Sequence, residues 1–503
     1  MNDYTDIART CLQTVADHGA DRYGRVHSPI WCGSLHAETL EAPRASIRLP
    51  QDWPIYEALR LGWLEAQRDG SGMYSSNLPE GSGRRVLRVS QRGFGCSNLY
   101  YDQPLLRAAR LLSARCGEAV ADGAVREYVG YYLDHFTDPQ TGLWEWGWHI
   151  DYDVHEDAFV FPDGHHHEIQ IIMPDWRQLS DLRPEAVGRQ MEQMAAWHID
   201  LDRAVFGRHP DKGGGCSFAM AGGEFVLAFA YWRSVTGERR WRELAERIAA
   251  FHWDQRHRQT NLIANRIGGE PGAADRFDFH TADTSTVALW AGRVLMAGEL
   301  LGSDELRDCA RQVLLAWARH GWDAEARRPY GLLELDGTPV NAPRADTGYE
   351  RQMPELHLDL WAEYVMGYEY PFRTALTFAM GYHCLGEEAL LEAARAWATC
   401  YARALPANEG RGSFCQGYGQ LTSLYTYLAE LTGEAQWLDT ARTVADEALG
   451  HLWTGRILRG YPGKDWYESV DGPGYLVQGL LELGQALEGK PVLAGRSVLD
   501  WNV

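Results

Sequence analysis

Histidine and carboxylate side chains of this 503-residue chain crowd into one stretch, from Trp144 to Asp200. It opens with Trp144-Glu145-Trp146-Gly147-Trp148-His149 and passes Asp151 and Asp153. It then reaches Asp163-Gly164-His165-His166-His167-Glu168 and closes with Trp197-His198-Ile199-Asp200. His149, Glu168 and His198 form the leading set. They fall in three successive segments, so they are not a local pair on one helix. Two imidazoles and one carboxylate suit a borderline divalent cation such as Mn, Zn, Fe or Ni, with positions left for water and substrate. Any of His165, His166 and His167 can stand in for His149. Two plainer readings stay open beside this one: histidines lining a sugar cleft by hydrogen bonds alone, and a satisfied, half-buried His198 beside Trp197.

Aromatic density is the second signal, with 20 Trp and 24 Tyr. Large rings stack on sugar faces, while their polar edges bond hydroxyls. Trp232, Trp241, Trp290, Trp317 and Trp437 sit in helical patterns and read as packing. Trp146, Trp176 and Trp466 lie in loop-like sequence and read as cleft residues. If residues 144–148 are extended, Trp146 faces away from Trp144 and Trp148. Asn98 and Tyr101 stand in one loop-to-helix entry, Tyr467 and Asp471 in another. These complete the candidate sugar contacts. Two more loops, 275–284 and 348–357, bring Arg, His, Tyr and carboxylates together. Arg276, His280, Tyr349 and Arg351 are therefore candidates for proton transfer or carboxylate binding, against ordinary capping and ion pairing.

The elements that must position these groups are helical. After an opening helix over residues 4–17, an irregular region follows from 23 to about 90, with a short helix near 55–67. Asn98 or Asp102 is placed to cap the next helix, with Pro104 in its first turn. A theme then recurs: a helix ending near a Gly, then a second helix of aromatic and Ala/Leu positions. It is visible around Gly117, Gly237, Gly302, Gly386 and Gly433. Paired helices of this kind cannot bury their apolar faces alone, so they stack or close into a ring. The pattern predicts an all-α fold, one (α/α) toroid domain over 1–503 of about six or seven helical hairpins with irregular rim loops. In a closed ring the last hairpin meets the first, which puts residues 460–475 on one rim with Asn98 and Tyr101.

The formal charge of −21, from 69 acidic and 48 basic residues, argues against nucleic acid or an anionic membrane as partner. No apolar run is long enough to span a bilayer. Nine cysteines show no CxxC pair and no framework, and no leader precedes the first helix, so a cytoplasmic protein is expected. Phosphate-loop, dinucleotide and serine-elbow motifs are absent in any supporting context.

With Trp146-Gly147-Trp148-His149, His167-Glu168 and Trp197-His198 in view, the chain resembles the helical-toroid polysaccharide lyases, closest to the family 2 pectate lyases. The resemblance implies a divalent metal held by two histidines and a glutamate in this order, an arginine base, and β-elimination on a uronate glycan. One departure stands out. In the family the catalytic arginine directly precedes the last metal histidine, whereas Trp197 precedes His198. The rival readings are a glycoside hydrolase using two carboxylates, Asp151 or Asp153 with Glu168 or Asp283, and a catalytically silent glycan-binding protein.

Overall fold

A computed structural model describes residues 3–42, 74–75, 86–87, 96–117, 119–148, 150–160, 164–212, 217–267, 281–341, 356–358, 360, 371–404, 412–463 and 465–503. The expected short helix near 55–67 lies outside the described residues. Fourteen helices are described. They are α1 (Asp3–His18), α2 (Leu99–Cys116), α3 (Asp122–His135), α4 (Trp176–Leu182), α5 (Pro184–His198), α6 (Ala219–Thr236) and α7 (Arg239–Trp253). Then come α8 (Gly292–Leu301), α9 (Asp304–His320), α10 (Pro371–Leu385), α11 (Glu388–Ala404), α12 (Cys415–Thr432), α13 (Ala435–Leu452) and α14 (Pro473–Leu487).

Consecutive helices pack as hairpins: α2 with α3, α4 with α5, α6 with α7, α8 with α9, α10 with α11 and α12 with α13. The seventh pair joins the two ends of the sequence, α14 against α1. Contacts also run α6–α8–α10–α12–α14–α2, which makes these the inner helices of an (α/α) toroid. The short α4 completes the circle through Asp175, whose backbone N–H donates to Gln103 on α2 and whose carboxylate pairs with Arg110. Buried apolar side chains form one continuous cluster from Tyr4 to Val503.

Inner and outer helices differ as their sequences require. On α12 every residue from Cys415 to Leu428 is buried. Its hydroxyls settle their own hydrogen bonds there, Thr422 and Thr426 donating to the carbonyls one turn back. Outer α7 instead buries one stripe, Trp241, Ala245, Ile248, Ala249 and His252. Several helices end where the pattern predicts, on a left-handed glycine, as at Gly237 and Gly433. Asn98 does cap α2, accepting from the Tyr100 N–H. Asp102 does not. It is buried and bonded by the Tyr128 hydroxyl, and burial lifts its carboxyl to about 7. Pro104 lies inside α2, one turn later than expected.

Ring closure needs backbones to touch. A Cβ on Gly474 of α14 would meet the Leu105 nitrogen of α2 at 2.1 Å, and one on Gly419 of α12 would meet the Tyr475 carbonyl carbon at 2.2 Å. Above the ring, short strands tie the rim: Trp466–Glu468 pairs antiparallel with Ser34–His36, and Gly33 donates to the Cys96 carbonyl. Thus the last loop and the first share a rim, as the closed ring requires.

Gly419→Ala is expected to lower the unfolding free energy by about 1–3 kcal/mol through backbone overpacking. Gly450→Ala, on an exposed helical position with nothing near its Cβ direction, should raise it by about 0.5–1 kcal/mol; urea unfolding of both variants reads the contrast. Burial lowers the His252 imidazole from 6.5 to about 4, so this ring is neutral in the fold. The unfolded ring takes up its proton first, and the stability this neutral form contributes is complete above pH 6.5 and lost as pH falls towards 4. The stability of wild type relative to His252→Gln should therefore decline over that window in denaturation curves taken across it.

Candidate functional site

The polar centre forms where the 144–170 segment meets the turn that follows α5. Trp146 bridges to His167, and Glu168 donates its N–H to the Trp146 carbonyl at 2.9 Å. The chain can pass this closely because position 147 is glycine. With φ at +153°, a Cβ there would lie 2.6 Å from that of Glu168. After α5, Ile199–Asp200 turns back on Val205–Phe206 as a small hairpin, and Gly207 donates to the His198 carbonyl. The next two residues, Arg208 and His209, then stand beside Glu168, with Ile169 donating to the Arg208 carbonyl at 3.2 Å.

Glu168 is buried, and one of its oxygens, Oε1, is 3.2 Å from His209 Nε2 and 3.3 Å from Arg208 Nε. Arg208 also donates from Nη1 to the Gln170 side chain at 3.1 Å. His165 stacks on His209 with ring centres 4.0 Å apart. A carboxylate, a guanidinium and an imidazole are thus fixed together by backbone pairing. Such a set can grip an acidic sugar, move a proton, or supply oxygen and nitrogen donors to a cation. Among the described residues, no three His, Cys, Asp or Glu side chains converge closely enough to hold a metal ion. His149 lies outside the described residues.

His198 does not join Glu168 in any described contact; the structure sets His209 there. Its Nδ1 faces the Gly207 carbonyl at 2.8 Å, and its ring sits edge-on to His167 at 5.0 Å and against Phe225 at 5.2 Å. Burial, then the nearby His167, hold it well below the usual imidazole range. This is a core histidine, more deeply buried than expected, bonded at Nδ1 while its Nε2 is buried without a partner among the described residues. His167 is likewise a core group, bonded through Nδ1 to the Trp144 carbonyl. Sequence reading passed over Arg208-His209, although an arginine directly before a histidine was the stated mark of the resemblance. The hairpin at 199–206 is what carries that pair back to Glu168.

The aromatic assignments need correction at two positions. Trp146 and Trp176 are fully buried and pack on each other and on Trp144, with centroids 5.0–6.3 Å apart. Trp144 and Trp146 therefore share one cluster and do not face opposite ways, because the chain bends at 145–147 and is not a straight strand. Tyr467 and Asp471 are buried as well. Asn98 is spent on its cap and on a bond to the Gly147 carbonyl, and Tyr101 donates its hydroxyl to the Trp148 carbonyl. Trp466 is half-buried, edge-on to His36. Of the hydrolase carboxylates, Asp153 receives the N–H groups of the turn at His155 and Glu156, and Asp283 caps the helix start at Ser285. Arg276, His280, Tyr349 and Arg351 lie outside the described residues.

Residues 88–217 match the family model described as periplasmic pectate lyase. That stretch holds every group of the centre just described. The description also overturns the cytoplasmic expectation, since it points to an exported protein. No curated protein matches the chain. Among solved structures, an unsaturated glucuronyl hydrolase from a Bacillus species is 14% identical, over 78% of this chain and 96% of its own, with a TM-score of 0.43. A family 76 glycoside hydrolase (mannosidase) from Bacteroides thetaiotaomicron is 11% identical, over 97% of this chain and 100% of its own, at 0.46. A cellobiose 2-epimerase from Spirochaeta thermophila is 15% identical, over 71% and 94%, at 0.44.

Replacing Trp146 by Ala is expected to cost about 3–5 kcal/mol of stability, as for a core indole. Trp466→Ala should cost under about 1 kcal/mol. Thermal and urea unfolding distinguish the two, and equal losses would contradict the assignment of Trp146 to the core.

Proposed function

We propose that the protein is a carbohydrate-active enzyme, a lyase that cleaves a uronate-containing glycan by β-elimination at Arg208, Glu168 and His209. One arrangement supports this: a guanidinium directly before an imidazole, both set against a buried carboxylate, inside the stretch that matches the pectate lyase model. It removes the departure noted in the sequence, because the arginine of the resemblance stands before His209.

In the reaction the carbon beside the uronate carboxylate gives up its proton, and that C–H electron pair becomes a C=C bond. The glycosidic C–O bond breaks, and the departing oxygen gains a proton, so no water is consumed. Arg208 takes the part the resemblance gives its arginine, that of proton acceptor; the step requires its neutral guanidine form, and the proton it takes passes on to the departing oxygen. Gln170 and the Ile169–Arg208 backbone bond aim it. Glu168 Oε1 and His209 Nε2, 3.2 Å apart, are two donors of the kinds the resemblance gives a divalent cation. Glu168 and His209, with His149 from the sequence, would hold it. Bound there, Mn or Zn would supply positive charge that acidifies the proton beside the carboxylate. Trp466 offers a sugar-stacking face, and Arg276, His280, Tyr349 and Arg351 are candidates for further carboxylate contacts. The enzyme acts outside the cytoplasm, in keeping with the description of the matching family.

The test is a panel of uronate polymers followed by ultraviolet absorbance of the new double bond. Absorbance should rise, vanish with chelator and return with Mn. Arg208→Lys and His209→Ala should each lower kcat by about 10²–10⁴-fold, with folding intact by circular dichroism, while His198→Gln keeps its activity. Reducing ends without absorbance would establish a hydrolase instead, and binding without product a glycan-binding protein.

A further inference from the structure

The run His165-His166-His167 offers three rings of one chemistry, and the fold sends each to a different place. His167 is buried and bonded through Nδ1 to the Trp144 carbonyl, and His166 Nδ1 lies 3.0 Å from Glu145 Oε1. His165 follows Gly164, whose φ of +78° turns the chain. Its ring lies on that of His209, with centres 4.0 Å apart and planes 23° from parallel. Imidazoles this close lie face over face, because rings set edge to edge at that distance would overlap. His209, the imidazole of the proposed centre, thus carries a second ring on its face.

This geometry limits what His165 can do. A cation held by an imidazole sits in the plane of the ring, ~2 Å from the nitrogen. Two stacked, nearly parallel planes share no such point, so His165 and His209 cannot hold one ion together. What His165 can do is fix the plane of its neighbour. The torsion that turns an imidazole about its bond to Cβ has broad minima, so rotamer preference sets the ring plane only loosely. Turning His209 about that bond would drive its edge into His165. The stack therefore favours the orientation in which His209 Nε2 lies 3.2 Å from Glu168 Oε1. Arg208, on the same carboxylate oxygen, is backed by a ring too, its guanidinium carbon 5.9 Å from the centre of Phe218.

We propose that His165 is a positioning residue for the elimination reaction: its ring face holds His209 in the plane from which Nε2 meets Glu168. The proposal rests on the reading of Glu168, Arg208 and His209 as the reacting centre. The face of the His165 ring fills this role and its nitrogens do not, so another flat ring should serve in its place.

Three full-length variants test this. His165→Phe keeps a flat face, His165→Gln keeps a polar group without one, and His165→Ala removes both. On the uronate polymer that the wild type cleaves, in saturating Mn, His165→Phe should keep kcat within about 3-fold, whereas His165→Gln and His165→Ala should each lose about 10–100-fold in kcat with KM nearly unchanged. Crystal structures should show the His209 ring against Glu168 in His165→Phe and turned away from it in His165→Ala. If the Ala variant does not fold, His165→Gln reads the same loss. Equal losses in the Phe and Ala variants overturn the proposal, since the nitrogens would then act. So does a rise in KM at constant kcat, which marks a sugar contact, and so does full activity in all three. If no uronate polymer yields an unsaturated product, the lyase reading fails by itself; the His209 ring in the variant structures then decides the role of the stack, and a ring unmoved in His165→Ala overturns it.

Discussion

Everything in this molecule hangs on how closely the inner helices approach one another. At Gly419 and Gly474 two helix backbones meet with no room for a side chain between them. A ring of six long inner helices and the short α4 can close only if such contacts persist around it. That closeness has an electrostatic cost. Polar groups on the inner faces must find partners within the ring, and most do so locally, as Thr422 and Thr426 do with their own helix. The arginines at 107 and 293 instead reach other helices, at Gln478 and Glu224.

The same closeness shapes the candidate site. Glu168 is not a surface acid. Its main chain is fixed to Trp146, its flank to Gly147 and its carboxylate to Arg208 and His209. Fixed groups in a dry setting lose little orientation entropy when a substrate arrives, and their charges act at short range. The indoles beneath, Trp144, Trp146 and Trp176, are the floor that keeps this segment in place.

The ring itself was legible in the sequence because helix pairs leave a periodic trace: Gly-ended helices, one apolar stripe outside, apolar on all sides inside. Glu168 was legible as an acid beside histidines, a candidate metal ligand or hydrolase carboxylate. What the sequence hid was the partner. His198 and His209 lie eleven positions apart, and only the hairpin at 199–206 decides which one returns to Glu168. No periodicity marks a two-strand turn that short. The role of Trp146 was misread for a related reason. A Trp in loop-like sequence reads as a cleft residue, but the bend at 145–147 folds it under its neighbours, where burial of an indole outweighs its exposure to a cleft. Asn98 was read as a sugar contact or a cap; both of its polar ends are already taken by the chain itself.

One pairing bears on how the chain comes to be folded. Helix α1 belongs to the last hairpin, so its apolar stripe of Ala8, Cys11, Leu12 and Val15, touched by α2 and α3, meets its main partner only when α14 arrives. On a ribosome that emits residues in order, this stripe is made about 450 residues before the helix that covers most of it, since α1 ends at His18 and α14 begins at Pro473. In that interval α1 presents an oily face without its main partner, and a holding chaperone would find its grip there.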